Sequence, residues 1–467
     1  MNGLLLALLA YLAVQLAIGA WLAPKIHTED DYLVAGRRLN YPLTIFSIFA
    51  TWFGVETCLA SAGRVYEGGF SLTSAEPFAY GVTLILTGLV FAVPLWRLKL
   101  TTLADLFRRR YGPGVERLAA LLLIPPGILW ASAQLRGFGH ILTTITPLEL
   151  DTAIALAAAF CIVYTVLGGL LADAITDLVQ GAVLILGMVV LGIVVMTRLG
   201  GPAASLAAIG PGRITLVGAE ASPTLLGLLE EYAIPIAGSV VAAELVSRVI
   251  AARSPEVARN GAVLAGGLYI LVGLVPVFLG LAAAGLVPGL ADPEAFLPAL
   301  AREVLPTAGY VIFLGALVSA ILSTVDTILL VAGGLAAHNL AAPLLRITAE
   351  RDRLRLARAG VLAFGIVALG LATGARGVAE LVEESSSFGT AGTLVVVCFG
   401  LFTRIGGVRA GAAGLLGGLV SYLGGSLAAL PYPFITSIAG ATAAYLLAAW
   451  TEAGRERDPL PLALPEA

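Results

Sequence analysis

Residues 306–339 read PTAGYVIFLGALVSAILSTVDTILLVAGGLAAHN. Within them Ser323, Thr324, Asp326 and Thr327 form one tight polar group, where a lipid-facing anchor would carry only carbon. The stretch is long enough to cross a bilayer. Polar groups at that depth are costly and face a cavity or a partner. Two adjacent hydroxyls beside backbone carbonyls supply the hard oxygen ligands that a small cation prefers, so the chemistry is that of holding and passing an ion. A second candidate is YPLTIFSIFATWFGVETCLASAG at 41–63, with Thr51, Gly54, Glu56 and Thr57 at its centre and Ser61 and Gly63 beyond. Glycine and hydroxyl residues make local unwinding tolerable, and unwinding releases carbonyls toward an ion. Gly54, Ala60 and Gly63 read equally as a helix-packing stripe. Glu56, near the membrane middle, is hard to place in lipid.

Other polar residues sit in apolar segments. Asp173, Asp177 and Gln180 occupy the first turns of a segment at 174–197. Asp173 can cap that helix. Asp177, one turn deeper, either faces the bundle interior or serves as a capping or salt-bridge partner, and Gln180 shares its side. Glu244 and Arg248 are four residues apart and are expected to pair along one face as a neutral structural unit. Gln134 and Arg136 follow Pro125 and Pro126, which bend their helix; Arg136 reaches either a membrane face or an internal acid. Glu383, Glu384, Ser385, Ser386, Ser387 and Gly389 read either as an outer aqueous vestibule or as loop. Cys58, Cys161 and Cys398 lie in apolar segments and read as small buried hydrophobes rather than a disulfide or metal site.

The elements that must position these residues follow from composition. Of 467 residues, 59% are hydrophobic and 12% charged, and mean hydropathy is +0.96. A soluble domain is about a quarter charged, so the chain reads as an all-α polytopic membrane protein. Apolar segments of about 20 residues fall at 3–23, 41–62, 72–95, 117–143, 150–170, 174–197, 224–250, 259–285, 306–338, 356–373, 378–402, 405–424 and 427–450, which makes thirteen. Gly168 and Gly169 mark a tight turn between the fifth and sixth. The first segment lacks a basic n-region and reads as a retained helix rather than a signal peptide. With thirteen spans the basic clusters at 96–117 and 339–358, Arg253 with Arg259, and Arg404 with Arg409 all fall on one side. The positive-inside rule makes that side cytoplasmic in a plasma (inner) membrane protein, with the N terminus outside and the C terminus inside. Residues 24–40 form the first cytoplasmic loop, and 451–467 a short tail. The chain has neither a basic, aromatic-interleaved surface for nucleic acid nor zinc-type spacing. Its expected partners are the lipid bilayer and a small organic solute, and it is expected to work as a monomer or weak homo-oligomer.

Laid out in this order, the sequence resembles the sodium:solute symporter family. The resemblance is carried by DDYLVAGRRL at 30–39, SIFATWFGVETCLASAG at 47–63, YTVLGGLLADAITDLVQG at 164–181, SRVIAARSPEVARNG at 247–261 and ALVSAILSTVDTILL at 316–330. Each motif alone is weak; five in family order cover nearly the whole chain. The resemblance implies a LeuT-type fold, a 5+5 inverted repeat at 41–197 and 224–402, with one extra helix before and two after. It implies a sodium site (Na+) between 41–62 and 306–338, formed by the backbone carbonyls of Ala50, Phe53 and Ala320 and the hydroxyls of Ser323 and Thr324. It also implies that Asp177 stabilises the ion region or joins a second site near Thr327.

By the same resemblance the solute cavity faces Thr51, Gly54, Glu56 and Thr57 from one broken helix and Ala237, Ser239 and Ala243 from the other repeat. Where sugar-transporting relatives place bulky aromatic and amide groups, this chain has IAGSVVAAELVSR, which argues against a polyol that needs many matched hydrogen bonds. LLLIPPGILWASAQLRGFG, with Trp130, is similar to the choline-transporting branch. An ionised Glu56 would favour an organic amine, with Trp52 and Trp130 offering cation–π contacts; a protonated one would suit a neutral solute or proton coupling. Cationic or zwitterionic solutes therefore rank first. The implied activity is sodium-coupled import by alternating access, with no enzymatic chemistry. A proton-coupled transporter, a channel and a membrane sensor with a separate signalling partner are the rivals.

Overall fold

The computed structural model describes residues 3–71, 76–215, 224–290, 292–375 and 377–452. The chain enters as α1 (Gly3–Leu22), then a short α2 (Glu29–Val34) inside the segment read from sequence as a loop. Thr28 makes α2 possible: its hydroxyl accepts from the Asp31 N–H while Asp31 caps back, so two orphan donors are satisfied at once. Asn40 caps α3 (Tyr41–Trp52), which breaks at Phe53 and resumes as a π-turn (Glu56–Ala60) running into α4 (Ser61–Gly68). The two halves bend by 58°. A two-residue strand β1 (Phe70–Ser71) precedes α5 (Phe78–Leu86), which continues through a π-turn into α6 (Ala92–Arg97). Next come α7 (Ala104–Tyr111), α8 (Pro113–Ile145) and α9 (Leu150–Arg198).

At 49 residues, α9 would be about 73 Å long if straight, over twice the hydrocarbon thickness. Gly169, at φ 57°, interrupts it where the sequence separates two spans. A Cβ there would sit 2.7 Å from the Tyr32 ring of α2, so backbone conformation and space both demand glycine.

The second half repeats the bent-pair device. After α10 (Pro202–Ala207) and β2 (Ile214–Thr215), which pairs in parallel with β1, α11 (Leu225–Ser239) and α12 (Ala243–Ala251) meet at a 45° bend. Then follow α13 (Pro255–Ala282), α14 (Phe296–Val304), α15 (Thr307–Gly334) with a π-turn leading into α16 (Ala342–Leu345), and α17 (Glu350–Gly374). The segment 378–402 is two pieces, α18 (Val378–Ser387) and α19 (Thr390–Phe402), divided at Gly389 with φ 70°. The chain closes with α20 (Val408–Leu427) and α21 (Pro433–Glu452).

Among the described residues nine helices are long and apolar enough to cross a membrane, or up to eleven with each bent pair taken as one span. The molecule is thus an all-α polytopic membrane bundle. Its centre is α15, whose apolar window is 89% buried, against 28% for α17 and α21. It packs on α9, α8 and α17. The helix that sequence marks as too polar for lipid is the one kept from lipid.

At one end of the bundle a polar cluster ties α2, α7, α8 and the π-turn after α15 together. Asn339 donates to Asp105 Oδ1 at 3.0 Å and to Glu116 Oε1 at 2.9 Å. His338 lies 2.9 Å from Glu29 Oε2 and 3.3 Å from Asp105 Oδ1. Burial pushes the Asp105 carboxyl up, but the hydrogen bond and charge of His338 and the N–H groups of Thr102 and Thr101 outweigh it, and the net shift is downward.

Candidate functional site

The break in α3 frees backbone groups beside α15. Val55 N–H donates not to its own helix but to Gln134 Oε1 of α8, at 2.9 Å. The Thr51 carbonyl receives the Thr324 hydroxyl at 2.8 Å, and that hydroxyl is also 3.1 Å from Ala320 O. Ser47 (2.5 Å) and Ser323 each donate to one oxygen of Asp177, which is fully buried. Thr327 Oγ1 lies 2.7 Å from Ser323 O and 3.2 Å from Thr51 Oγ1. Ala50, Thr51, Phe53, Ala320, Ser323, Thr324, Thr327 and Asp177 are therefore gathered in one buried region at the α3 break, α9 and α15.

Charge in this region is unbalanced. Arg248 of α12, fully buried, pairs with Asp173, stands 3.8 Å from Asp177 and touches Thr327. Asp326 Oδ1 accepts from the Thr327 N–H at 2.9 Å, and its Oδ2 is buried without a partner. Asp173 and Asp177 thus share one guanidinium among the described residues. Such a cluster favours an added cation, and its hydroxyl and carbonyl donors suit a small hard one. The expected Glu244–Arg248 pair does not form. Arg248 turns toward α9 because two carboxylates there outcompete one, and Asp173 is its partner rather than a simple cap.

Between the two bent pairs lies a cavity. Trp52, Glu56, Trp130, Ser239 and Ala243, all singled out from sequence, line it together with Tyr80, Gly127, Glu244 and Ser385. The rings of Trp52 and Trp130 meet edge to face at 4.7 Å, and the Trp52 indole N–H is buried and unpartnered. Gln134 Nε2 donates to Glu56 Oε2 at 2.7 Å. Thr51, Gly54 and Thr57 lie off this wall. Thr51 faces α15. Gly54 packs under Glu56 and Gln134. Thr57 turns the other way, its hydroxyl 2.5 Å from Tyr269 OH, which donates to Glu76 at 2.9 Å. A smaller cavity, lined by Thr102, Ser247, Leu330 and Gly334 among others, shares Ala243 with the first.

Sequence reasoning gave no role to Gln134, Tyr80, Glu76 or Tyr269. An amide deep in an apolar helix was a signal for Gln134; the others needed the tertiary arrangement. Arg136 donates to the Ala372 carbonyl at 3.1 Å. Ser385 donates to Pro126 O at 2.7 Å, while Glu383, Glu384 and Ser386 fall within α18 with side chains outside those described.

Two bent helix pairs around a central cavity, with a polar buried helix alongside, define a secondary transporter of LeuT type. The fold matches that of a Na+-coupled sialic acid symporter in its substrate-bound outward-open state, with a TM-score of 0.84, 16% identity and 98% of each chain covered. It also matches Mhp1, a nucleobase-cation-symport-1 family transporter, in a closed conformation, with a TM-score of 0.61, 17% identity, and 94% and 97% covered. Residues 32–420 match the Sodium:solute symporter family, and the chain belongs to it. Its relatives include the high affinity choline transporter 1 of Homo sapiens, 27% identical over 402 residues (79% of this chain, 67% of that protein). Another is the sodium/glucose cotransporter of Vibrio parahaemolyticus, 26% identical over 292 residues (58% and 53%). The chain is a sodium-coupled secondary transporter of a small organic solute, working by alternating access.

Proposed function

We propose that the chain imports a cationic or zwitterionic organic solute, driven by sodium held between the α3 break and α15. Its ligands are the carbonyls of Ala50, Phe53 and Ala320 and the hydroxyls of Ser323 and Thr324, with Asp177 and Thr327 coupling the ion to α9. One observation carries this reading: the Thr324 hydroxyl bridges toward Thr51 O and Ala320 O, at the edge of a cluster in which Asp173 and Asp177 share one guanidinium. A bound sodium neutralises part of that excess, and it clamps the broken helix to α15. The same broken helix carries Trp52 and Glu56 into the solute cavity, so ordering it for the ion orders it for the solute, which is positive coupling between two ligands.

Glu56 and the Trp52–Trp130 pair favour an ammonium group through charge and cation–π attraction. The similarity to a choline transporter supports the same class; the similarity to a sodium/glucose cotransporter is weighed against a cavity wall built of Ala242, Ala243 and Ser239. Taking α9 as two spans, each bent pair as one and α18–α19 as one gives thirteen spans, with repeats at 41–197 and 224–402 and one helix before and two after. The N terminus then lies outside and the C terminus in the cytoplasm. The second cavity, below Ala243, is the inward path. A monomer or weak homo-oligomer suffices, since both ligand regions are built from this chain. Membrane potential supplies about 2.3 kcal/mol per charge per 100 mV for inward release.

The test is uptake into proteoliposomes under an inward sodium gradient, with choline, proline, glucose and pyruvate as competing solutes. Sodium-driven uptake blocked by the amine or zwitterion supports the reading. Competition by pyruvate or glucose alone defeats it.

A further inference from the structure

Glu244 is left over once the ion region is accounted for. Arg248, four residues on, is committed to Asp173 and stands near Asp177. Glu244 forms no ion pair among the described residues. It lies instead on the wall of the solute cavity, its Oε1 packed on Gly127, where a Cβ would come within 2.9 Å of it. The first turn of α12 favours negative charge at this position.

Glu56 marks the other end of the same cavity. It is held by Gln134 of α8, while Glu244 rests on Gly127 of the same helix. Those anchors are separated by 134 − 127 = 7 residues, or about 10 Å along the axis. Trp130, with its partner Trp52, lies between them. Glu56 is 5% exposed and Glu244 6%, and the described residues lining the cavity include no Lys, Arg or His. Two carboxylates in one low-dielectric cavity repel each other, and neither forms an ion pair among the described residues. A solute with one positive group compensates one of them and leaves the other buried and bare. A solute with two compensates both.

Resting on the reading of this cavity as the site of a cationic solute, we propose that the solute is a diamine or polyamine, one ammonium group on Glu56 and another on Glu244, with the methylene chain between them along Trp52 and Trp130. With charge-assisted hydrogen bonds of about 2.8 Å at each end, the ammonium groups stand roughly 5–10 Å apart, the reach of about four to six methylenes. Tyr80, Leu123 and Pro126 give the linker an apolar wall. The small face at Ala242 and Ala243 leaves the lower end open to the second group.

The experiment measures equilibrium binding of radiolabelled putrescine, cadaverine and choline to the purified full chain in sodium, for the wild type, Glu56→Gln and Glu244→Gln. Thermal stabilisation by sodium reports that each variant is folded. The diamines are expected to bind the wild type at least about tenfold more tightly than choline, a difference of about 1.4 kcal/mol. E244Q should lose that preference, weakening diamine binding about tenfold while moving choline by less than about threefold; E56Q should weaken both. If choline binds the wild type as tightly as the diamines, or if E244Q leaves diamine affinity unchanged, the two-ammonium proposal is wrong while the cationic-solute reading stands. If no amine binds, both fall. The wild-type ratio decides even if E244Q does not fold.

Discussion

Replacing Arg248 with methionine removes the guanidinium that faces Asp173 and Asp177 while keeping an unbranched side chain in its place. The Arg248 and Asp173 side chains are 0% and 4% exposed, so water cannot solvate what is left behind. Breaking a buried pair by deleting one partner costs about 3–5 kcal/mol, a factor of about 100 to 4,000 in the folded population. At the proposed site, a sodium ion beside Asp177 would return positive charge to the same cluster. The deficit should therefore be larger in N-methylglucamine buffer than in sodium. Adding Asp173→Asn removes the orphaned carboxylate, and the double variant should recover more than half of the loss. The assay is thermal unfolding in detergent of the wild type, R248M, D173N and the double variant, with and without sodium. A double variant no more stable than R248M would refute the reasoning, because the cost would then come from packing rather than from uncompensated charge. Equal deficits in both buffers would refute the electrostatic link to the ion.

Other outcomes follow from the same geometry. Thr324→Val keeps the shape but removes the hydroxyl on Thr51 O and Ala320 O; half-maximal sodium in uptake should rise about tenfold or more, a loss of about 1.4 kcal/mol, and an unchanged sodium curve would discard Thr324 as a ligand. Gly54→Ala would place a Cβ 2.7 Å from Glu56 Oε2 and 2.9 Å from both polar atoms of Gln134. Amine affinity should drop about tenfold while sodium-induced thermal stabilisation stays, measured on the same preparation. Tyr269→Phe leaves Glu76 without its phenol donor and should cost about 1–3 kcal/mol, most of it restored by adding Glu76→Gln in a double-mutant cycle. Asp105 titrates below its unfolded value, so its stabilisation is full above the ordinary carboxylate range and is lost as pH falls through the folded value. Asp105→Asn should flatten the acid limb of a melting-temperature profile.

Much of the fold could be read from residues because membrane insertion is governed by local composition. The apolar runs mark the helices, and Gly168–Gly169 marks the division of α9, since only glycine tolerates the backbone and the contact with Tyr32. The polar group in 316–330 marks the buried helix for the same reason: lipid would not accept it. Partner choice was the illegible part. Four-residue spacing allowed Glu244 and Arg248 to pair, but spacing is silent on the two carboxylates of α9 that win the guanidinium. Thr57 sits one residue from Glu56 yet turns to the opposite side of the broken helix, because the π-turn at 56–60 shifts the facing of each side chain. Gln134 was visible as an oddity and became meaningful only once Val55 and Glu56 stood opposite it.

The buried cluster also constrains how the protein is made. Asp173 and Asp177 are synthesised before Arg248, which lies 75 residues beyond Asp173. At synthesis rates of about 5–20 residues per second, roughly 4–15 s pass before their counter-charge exists. Through that interval α9 carries two carboxyls into the membrane with no partner, a state that lipid disfavours. Its second half must therefore linger at the insertion machinery, or against α3, until α11 and α12 emerge. The arginine that pairs with Asp173 in the finished transporter is thus the partner that α9 lacks while it is being made.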